Sequence, residues 1–164
     1  MNTLFQTEAR LAPVLLRMML AVVIFPHGAQ KLLGWYGGVG YEGTIGFFTQ
    51  QMSLPWIIAF LVVIGEFFGP LALAAGFMTR FTAASLGVIM LGAIATVHWP
   101  HGFFMNWFGR QAGEGFEYHL LVIGMTLSLM VSGAGKWSVD QIIGRRLSTK
   151  EPITASATRS TVAA

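Results

Sequence analysis

The sequence contains no cysteine. That excludes disulfides, thiolate metal sites and any dithiol relay carried by this chain alone. Charge is also scarce: Asp, Glu, Lys and Arg make up 10% of the chain, against about a quarter in soluble domains. What fills the space is apolar, at 54% of the 164 residues, and it comes in long runs rather than at amphipathic spacing. The class is membrane, and the length allows a single domain. The small net charge of +3 gathers near helix ends, which suits topology and lipid head groups and not nucleic acid. No signal peptide is read: residues 2–9 lack a basic n-region, and no small-residue cleavage site closes the first apolar run.

Four runs have the length to cross a bilayer, which takes roughly 20 residues. They cover about residues 11–33, 54–77, 81–99 and 117–131. The expected fold is all-α, an integral membrane bundle of four transmembrane helices. A short interfacial helix is expected in the first outer loop at residues 44–52, where Ile45, Phe48 and Met52 share a face. Arg10, Arg80, Lys136, Arg145, Arg146, Lys150 and Arg159 fall in the N-terminus, the second loop and the tail. Cytoplasmic loops carry such an excess, so both termini are placed inside. The expected organisation is a cytoplasmic N-terminus (1–10), a transmembrane domain (11–146) and a disordered cytoplasmic tail (147–164), rich in Ser, Thr and Ala.

Charged groups cost about 2.5–3.5 kcal/mol at the centre of a bilayer, so those inside spans face the bundle interior and mark function. Arg17 lies in the first run and Glu66 near the middle of the second. Arg17, Ile24 and Lys31 nearly eclipse on a helix, with His27 within about 80° of that line. Counting rise from the cytoplasmic ends puts Glu66 between Arg17 and His27 in depth, so Arg17 is its expected partner. That pair either only fixes helix register or holds a carboxylate that handles protons or anchors a ligand. The second reading gains from the other titratable groups in the outer half: His27, His98, Glu117 and His119. With Gln30, Lys31, Trp107 and Tyr118 they outline an aromatic-walled polar pocket. Glu66, His27 and His119 are the candidate catalytic groups, and Arg17, Gln30, Lys31, His98, Trp107, Glu117 and Tyr118 the candidate ligand-binding ones.

Two apparent motifs carry little. Gly38 to Gly43 matches G-x-G-x-x-G, but no strand precedes it, so the glycines are read as turns. His98 and His101 are split by Pro100, and no metal is assigned. Gly65 and Gly69 form a GxxxG that could support close packing or a homodimer.

As an ordered set, several segments resemble the DoxX family of small bacterial membrane proteins, which groups with DoxD subunits of thiosulfate:quinone oxidoreductases. They are Leu16-Arg17, His27-Gly28-Ala29-Gln30-Lys31-Leu32, Gly65-Glu66, Gly76-Phe77-Met78-Thr79-Arg80, Glu117-Tyr118-His119-Leu120-Leu121 and Gly135-Lys136-Trp137-Ser138-Val139-Asp140. The resemblance implies a four-helix, multi-pass protein of the bacterial inner membrane, linked to redox or oxidative-stress processes. It implies quinone as a ligand and supplies no catalytic residues. The function expected is a membrane subunit of an oxidoreductase system that binds a quinone or other small lipophilic redox molecule, with a protein partner supplying electrons. The alternatives are a small proton-coupled transporter and a non-catalytic membrane scaffold for a partner enzyme.

Overall fold

The computed structural model of the protein describes residues 10–148, all helix, turn and loop with no strand among them. Helix α1 (Ala12–Leu33) opens with Pro13, whose fixed φ and missing N–H suit a first turn. It stops at Gly34, left-handed at φ 72°. A glycine-rich turn leads to α2 (Gly40–Gly46), which runs on as a π turn through Phe47–Gln51. Helix α3 (Trp56–Ala75) starts after Pro55 and ends on Gly76, again left-handed at φ 65°. Only Phe77 and Met78 then separate Gly76 from α4 (Thr79–Ala93), so these helices are antiparallel neighbours. Beyond α4 the chain continues helically through a π turn (Ile94–His98) and a 3-10 turn (Trp99–His101). A loop of residues 102–116 precedes α5 (Glu117–Ser132), and α6 (Val139–Ser148) follows it.

Three helices are long and apolar enough to cross a membrane: Ala12–Leu33, Trp56–Ala75 and Thr79–His101. The fourth, α5, is apolar but shorter, at 16 residues. The helices close a ring, with α1 on α3, α3 on α4, α4 on α5 and α5 back on α1. Leu20, Ile24, Leu73, Ala83, Leu86, Met90, Val122 and Leu129 fill its centre. Large apolar side chains also cover the outside: Val22, Leu61, Val88 and Leu121 are all exposed. Arg17, Glu66 and His119 are buried instead. Polar inside and apolar outside is the arrangement a bilayer demands, so these outer faces contact lipid.

Glycines set the spacing of the ring. A Cβ on Gly28 would stand 2.2 Å from the Glu66 carbonyl oxygen, so α1 and α3 touch backbone to backbone there. Gly65 and Gly69 face Ile89 and Leu86 of α4. Their small-residue face is thus occupied within the chain and is not free to carry a homodimer, a correction to the packing read from the motif. Leu147 and Ser148, expected to begin the tail, are still in α6. The rest of that tail, from residue 149, lies outside the described residues, as does most of the N-terminal segment.

Candidate functional site

The polar residues of the spans divide into two clusters at opposite ends of the ring. Arg17, expected beside Glu66, belongs to the other one. Its guanidinium donates to the carbonyls of Leu73 and Ala74, both at 3.0 Å, and to those of Lys136 at 3.0 Å and Trp137 at 3.3 Å. The last carbonyls of a helix have no intrahelical partner and carry the negative end of its dipole, so the C-terminus of α3 competes well for a cation. The depth count misled because α1 and α3 do not start level. Arg17 stands beside residues 73–74, while Gly28, about 16 Å further along α1, stands beside Glu66.

Asp140, missed from sequence, completes this end. Its carboxylate accepts the backbone N–H of Met78 at 2.7 Å and of Thr79 at 2.9 Å, capping the first turn of α4 from the start of α6. Asp140 N–H in turn donates to the Gly76 carbonyl at 3.0 Å, and the Asp140 charge lies within electrostatic reach of Arg17. Arg80 donates to the carbonyls of Met130 and Val131 at the end of α5, the latter at 2.8 Å. The signal was present in the sequence: Gly76 to Arg80 and Gly135 to Asp140 are two loop segments with charges at fixed places.

The second cluster sits around Glu66. Because Gly28 lets α1 lie against α3, Lys31, less than one turn beyond, reaches the buried Glu66 carboxylate and forms an ion pair with it through Oε2. His27 shares that face of α1 at i−4 and lies within electrostatic reach of both. Its ring centroid is 6.4 Å from that of Tyr118 on α5, whose hydroxyl is in reach of Glu66. Tyr118 and His119 rings are 5.4 Å apart, and His119 lies 4.1 Å from His98. The π turn at Ile94–His98 brings His98 to this position, and its Nδ1 lies 2.8 Å from the carbonyl oxygen of Glu114 in the 102–116 loop. His119 is 7% exposed, and its Nδ1 is buried with no hydrogen-bond partner among the described residues. A buried imidazole nitrogen without a hydrogen bond is costly unless something else meets it.

The remaining candidates lie around this cluster rather than in it. Glu117 turns to the 102–116 loop, where Oε1 accepts the Met105 N–H at 2.9 Å and the Trp107 Nε1–H at 3.3 Å. The Trp107 ring is itself exposed. Gln30 donates to the Tyr36 carbonyl at 3.3 Å, and Gly38 packs on the Gln30 backbone, so both shape the turn after α1. That is the use of the literal G-x-G-x-x-G. No group of three metal ligands stands together among the described residues.

A lipid-embedded helical ring with a buried carboxylate, a lysine and three histidines at one end defines a small polytopic membrane protein with an interior polar site. The comparisons with known proteins agree. The model of the DoxX family matches residues 12–99, more than half of the chain. The chain belongs to the DoxX family. It is 31% identical over 114 residues to the Escherichia coli "Inner membrane protein YqjF", covering 69% of this chain and 82% of that one. It is 28% identical over 116 residues to a Bacillus subtilis protein named "Putative oxidoreductase CatD", covering 71% and 76%. A Haemophilus influenzae protein named only as uncharacterized is 27% identical over 139 residues, 84% and 86% of the two chains. No solved structure matches significantly.

Proposed function

We propose that this chain is the membrane-embedded part of an oxidoreductase system, and that its Glu66 cluster holds a quinone or a similar small lipophilic redox molecule. One observation carries the reading: the buried Glu66 carboxylate is paired with the part-exposed Lys31, whose charge lies within electrostatic reach of His119, and the buried Nδ1 of His119 has no partner among the described residues. The donor set fits such a ligand. Ring oxygens need hydrogen-bond donors, and His119, Tyr118, His27 and the Lys31 ammonium can supply them. The ring itself would meet aromatic faces.

A bound quinone accepts two electrons and two protons when it is reduced. The chain's own residues handle the protons and the position. His119 donates from its unpartnered nitrogen, Tyr118 from its hydroxyl, and Glu66 fixes the position of the Lys31 side chain through their ion pair. His98, tilted against His119 with ring centroids 4.1 Å apart and tied to Glu114, leads from the cluster to the outer loop. In this reading a partner protein supplies the electrons. The name of the Bacillus subtilis relative supports a redox setting.

This reading includes the topology: α5 as the fourth span, both termini in the cytoplasm and the protein in the bacterial inner membrane. Sixteen residues of α5 give about 24 Å, short of a 30 Å hydrocarbon core, and its packing along α4 supports the crossing. The lysine and arginine bias favours the Arg17 end as the inner one. The α2 segment then lies at the outer interface.

Native mass spectrometry of the protein extracted gently from its own membrane tests the function. The expected result is a quinone bound to the wild type and absent from folded Glu66→Gln and His119→Phe variants. Phospholipid alone on all three would rule the reading out.

A further inference from the structure

We infer that the Glu66 cluster opens sideways into the bilayer, and that its ligand enters through the outer half of the seam between α1 and α5, leaving an apolar tail in the lipid. The inference rests on the reading of the site given above and names the route and the shape of the ligand. It follows from how the four seams of the ring are closed.

Three seams are closely packed, α1–α3 backbone to backbone and the other two by side chains set against glycines. At α1–α3, Gly28 lies on the Glu66 carbonyl. At α3–α4, Cβ atoms on Gly65 and Gly69 would come within 2.8 Å of Ile89 and 3.3 Å of Leu86. At α4–α5, one on Gly87 would come within 3.1 Å of the Thr126 hydroxyl. A planar ring cannot pass between helices packed that closely.

The α1–α5 seam is different along its length. Its inner half is closed: Leu20 and Ile24 pack with Val122 and Leu129, Gly135 lies on Pro13, and Lys136 N–H donates to the Arg10 carbonyl at 3.1 Å. Its outer half is bridged by side chains, His27 and Tyr118, with ring centroids 6.4 Å apart. His27 is exposed although it is in reach of Lys31 and Glu66, so it stands at the threshold between the cluster and the outside. Pro26 adds to the looseness here, because α1 loses one backbone hydrogen bond at that turn. Two rings on rotatable side chains at the surface can part on the fast timescale of side-chain motion, whereas Leu86 and Thr126, set against the glycines of the other seams, are buried and the α1–α3 contact is backbone.

Beside the threshold the surface is apolar and open. Val23 on α1 and Leu121 on α5 are exposed, at 38% and 70%, and Gly124, a turn further along α5, has nothing within 4 Å of its Cβ position. This groove suits an alkyl or prenyl tail trailing from a polar head seated at Glu66 and His119. It gives a reason for a lipophilic ligand that owes nothing to redox chemistry. A small hydrophilic substrate would need a water-facing mouth instead, on the side that the outer loop covers.

The test uses the full chain in lipid nanodiscs and a benzoquinone whose alkyl tail bears a photoreactive diazirine. Labelled peptides are mapped by mass spectrometry, with unlabelled quinone as competitor. Competed labelling of residues 23–27 and 118–124, lost in Glu66→Gln, is the expected result. Val23→Trp, which narrows the proposed path, is expected to slow that labelling several-fold, and an unchanged rate would overturn the lateral route. Competed labelling centred on the outer loop would overturn the lateral route and leave the ligand reading standing. Absence of competed labelling anywhere would remove the ligand reading, and the route with it.

Discussion

Gly28 on α1 lies against the main chain of Glu66 on α3, leaving 2.2 Å between a would-be Cβ and the Glu66 carbonyl oxygen. The obstacle is backbone and cannot swing aside. Everything at the polar cluster depends on this contact, because it sets the distance from which Lys31 reaches the carboxylate. Gly28→Ala is expected to push the two helices apart and to destabilise the bundle by about 1–3 kcal/mol, the usual cost of overpacking. Thermal unfolding in detergent, followed by tryptophan fluorescence, reads the loss. An unchanged midpoint would mean that α1 and α3 are less tightly apposed than described.

Removing one member of the Glu66–Lys31 pair leaves the other without its partner in a low-dielectric interior. Glu66→Gln and Lys31→Met should each destabilise, and the double substitution should cost less than the sum. A coupling of about 0.5–3 kcal/mol is expected from a double-mutant cycle. Additive costs would show that the two side chains act separately.

His119→Phe separates ligand binding from stability. The imidazole Nδ1 makes no hydrogen bond among the described residues, so a ring of similar shape loses none, and the unfolding midpoint should hold or rise. Quinone affinity should fall by roughly 5- to 100-fold, the worth of one or two good hydrogen bonds. Titration of a short-tailed quinone against tryptophan fluorescence measures it. A destabilised variant with intact affinity would assign His119 to packing alone.

The Arg17 end predicts the opposite pattern. Asp140→Ala removes a cap from two backbone N–H groups and should cost about 0.5–2 kcal/mol. Arg17→Lys should also destabilise, because one ammonium cannot reach carbonyls on two segments as a planar guanidinium does. Neither should alter ligand affinity in the folded fraction. A loss of binding matching that of Glu66→Gln would reunite Arg17 with the site.

Three of the spans and the gathering of most of the polar residues were legible because they rest on local quantities: run length, charge in an apolar stretch, and residues sharing a helix face. His27, Lys31, Tyr118 and His119 could be drawn to one end from spacing alone. What sequence could not supply was the vertical offset between α1 and α3. A shift of a few residues moved Arg17 from Glu66 to the end of α3 and left Lys31 as the partner. Asp140 was missed for a related reason. It lies in a loop-to-helix junction outside any span, and its worth comes from a turn 61 residues earlier. The π turn that carries His98 inward is likewise invisible in a pattern read at a uniform 3.6 residues per turn.

The position of Asp140 also governs the order in which the molecule can be completed. Translation delivers α1, α3 and α4 to the membrane long before residues 136–140 leave the ribosome. Until then the turn at Gly76 to Thr79 has no cap and Arg17 has only half of its acceptors. The junction of α3 and α4 is therefore provisional while the chain is growing. The last-made helix of those described acts as a latch, and a nascent chain stalled before it would carry its polar cluster in a bundle that has not been fastened at the other end.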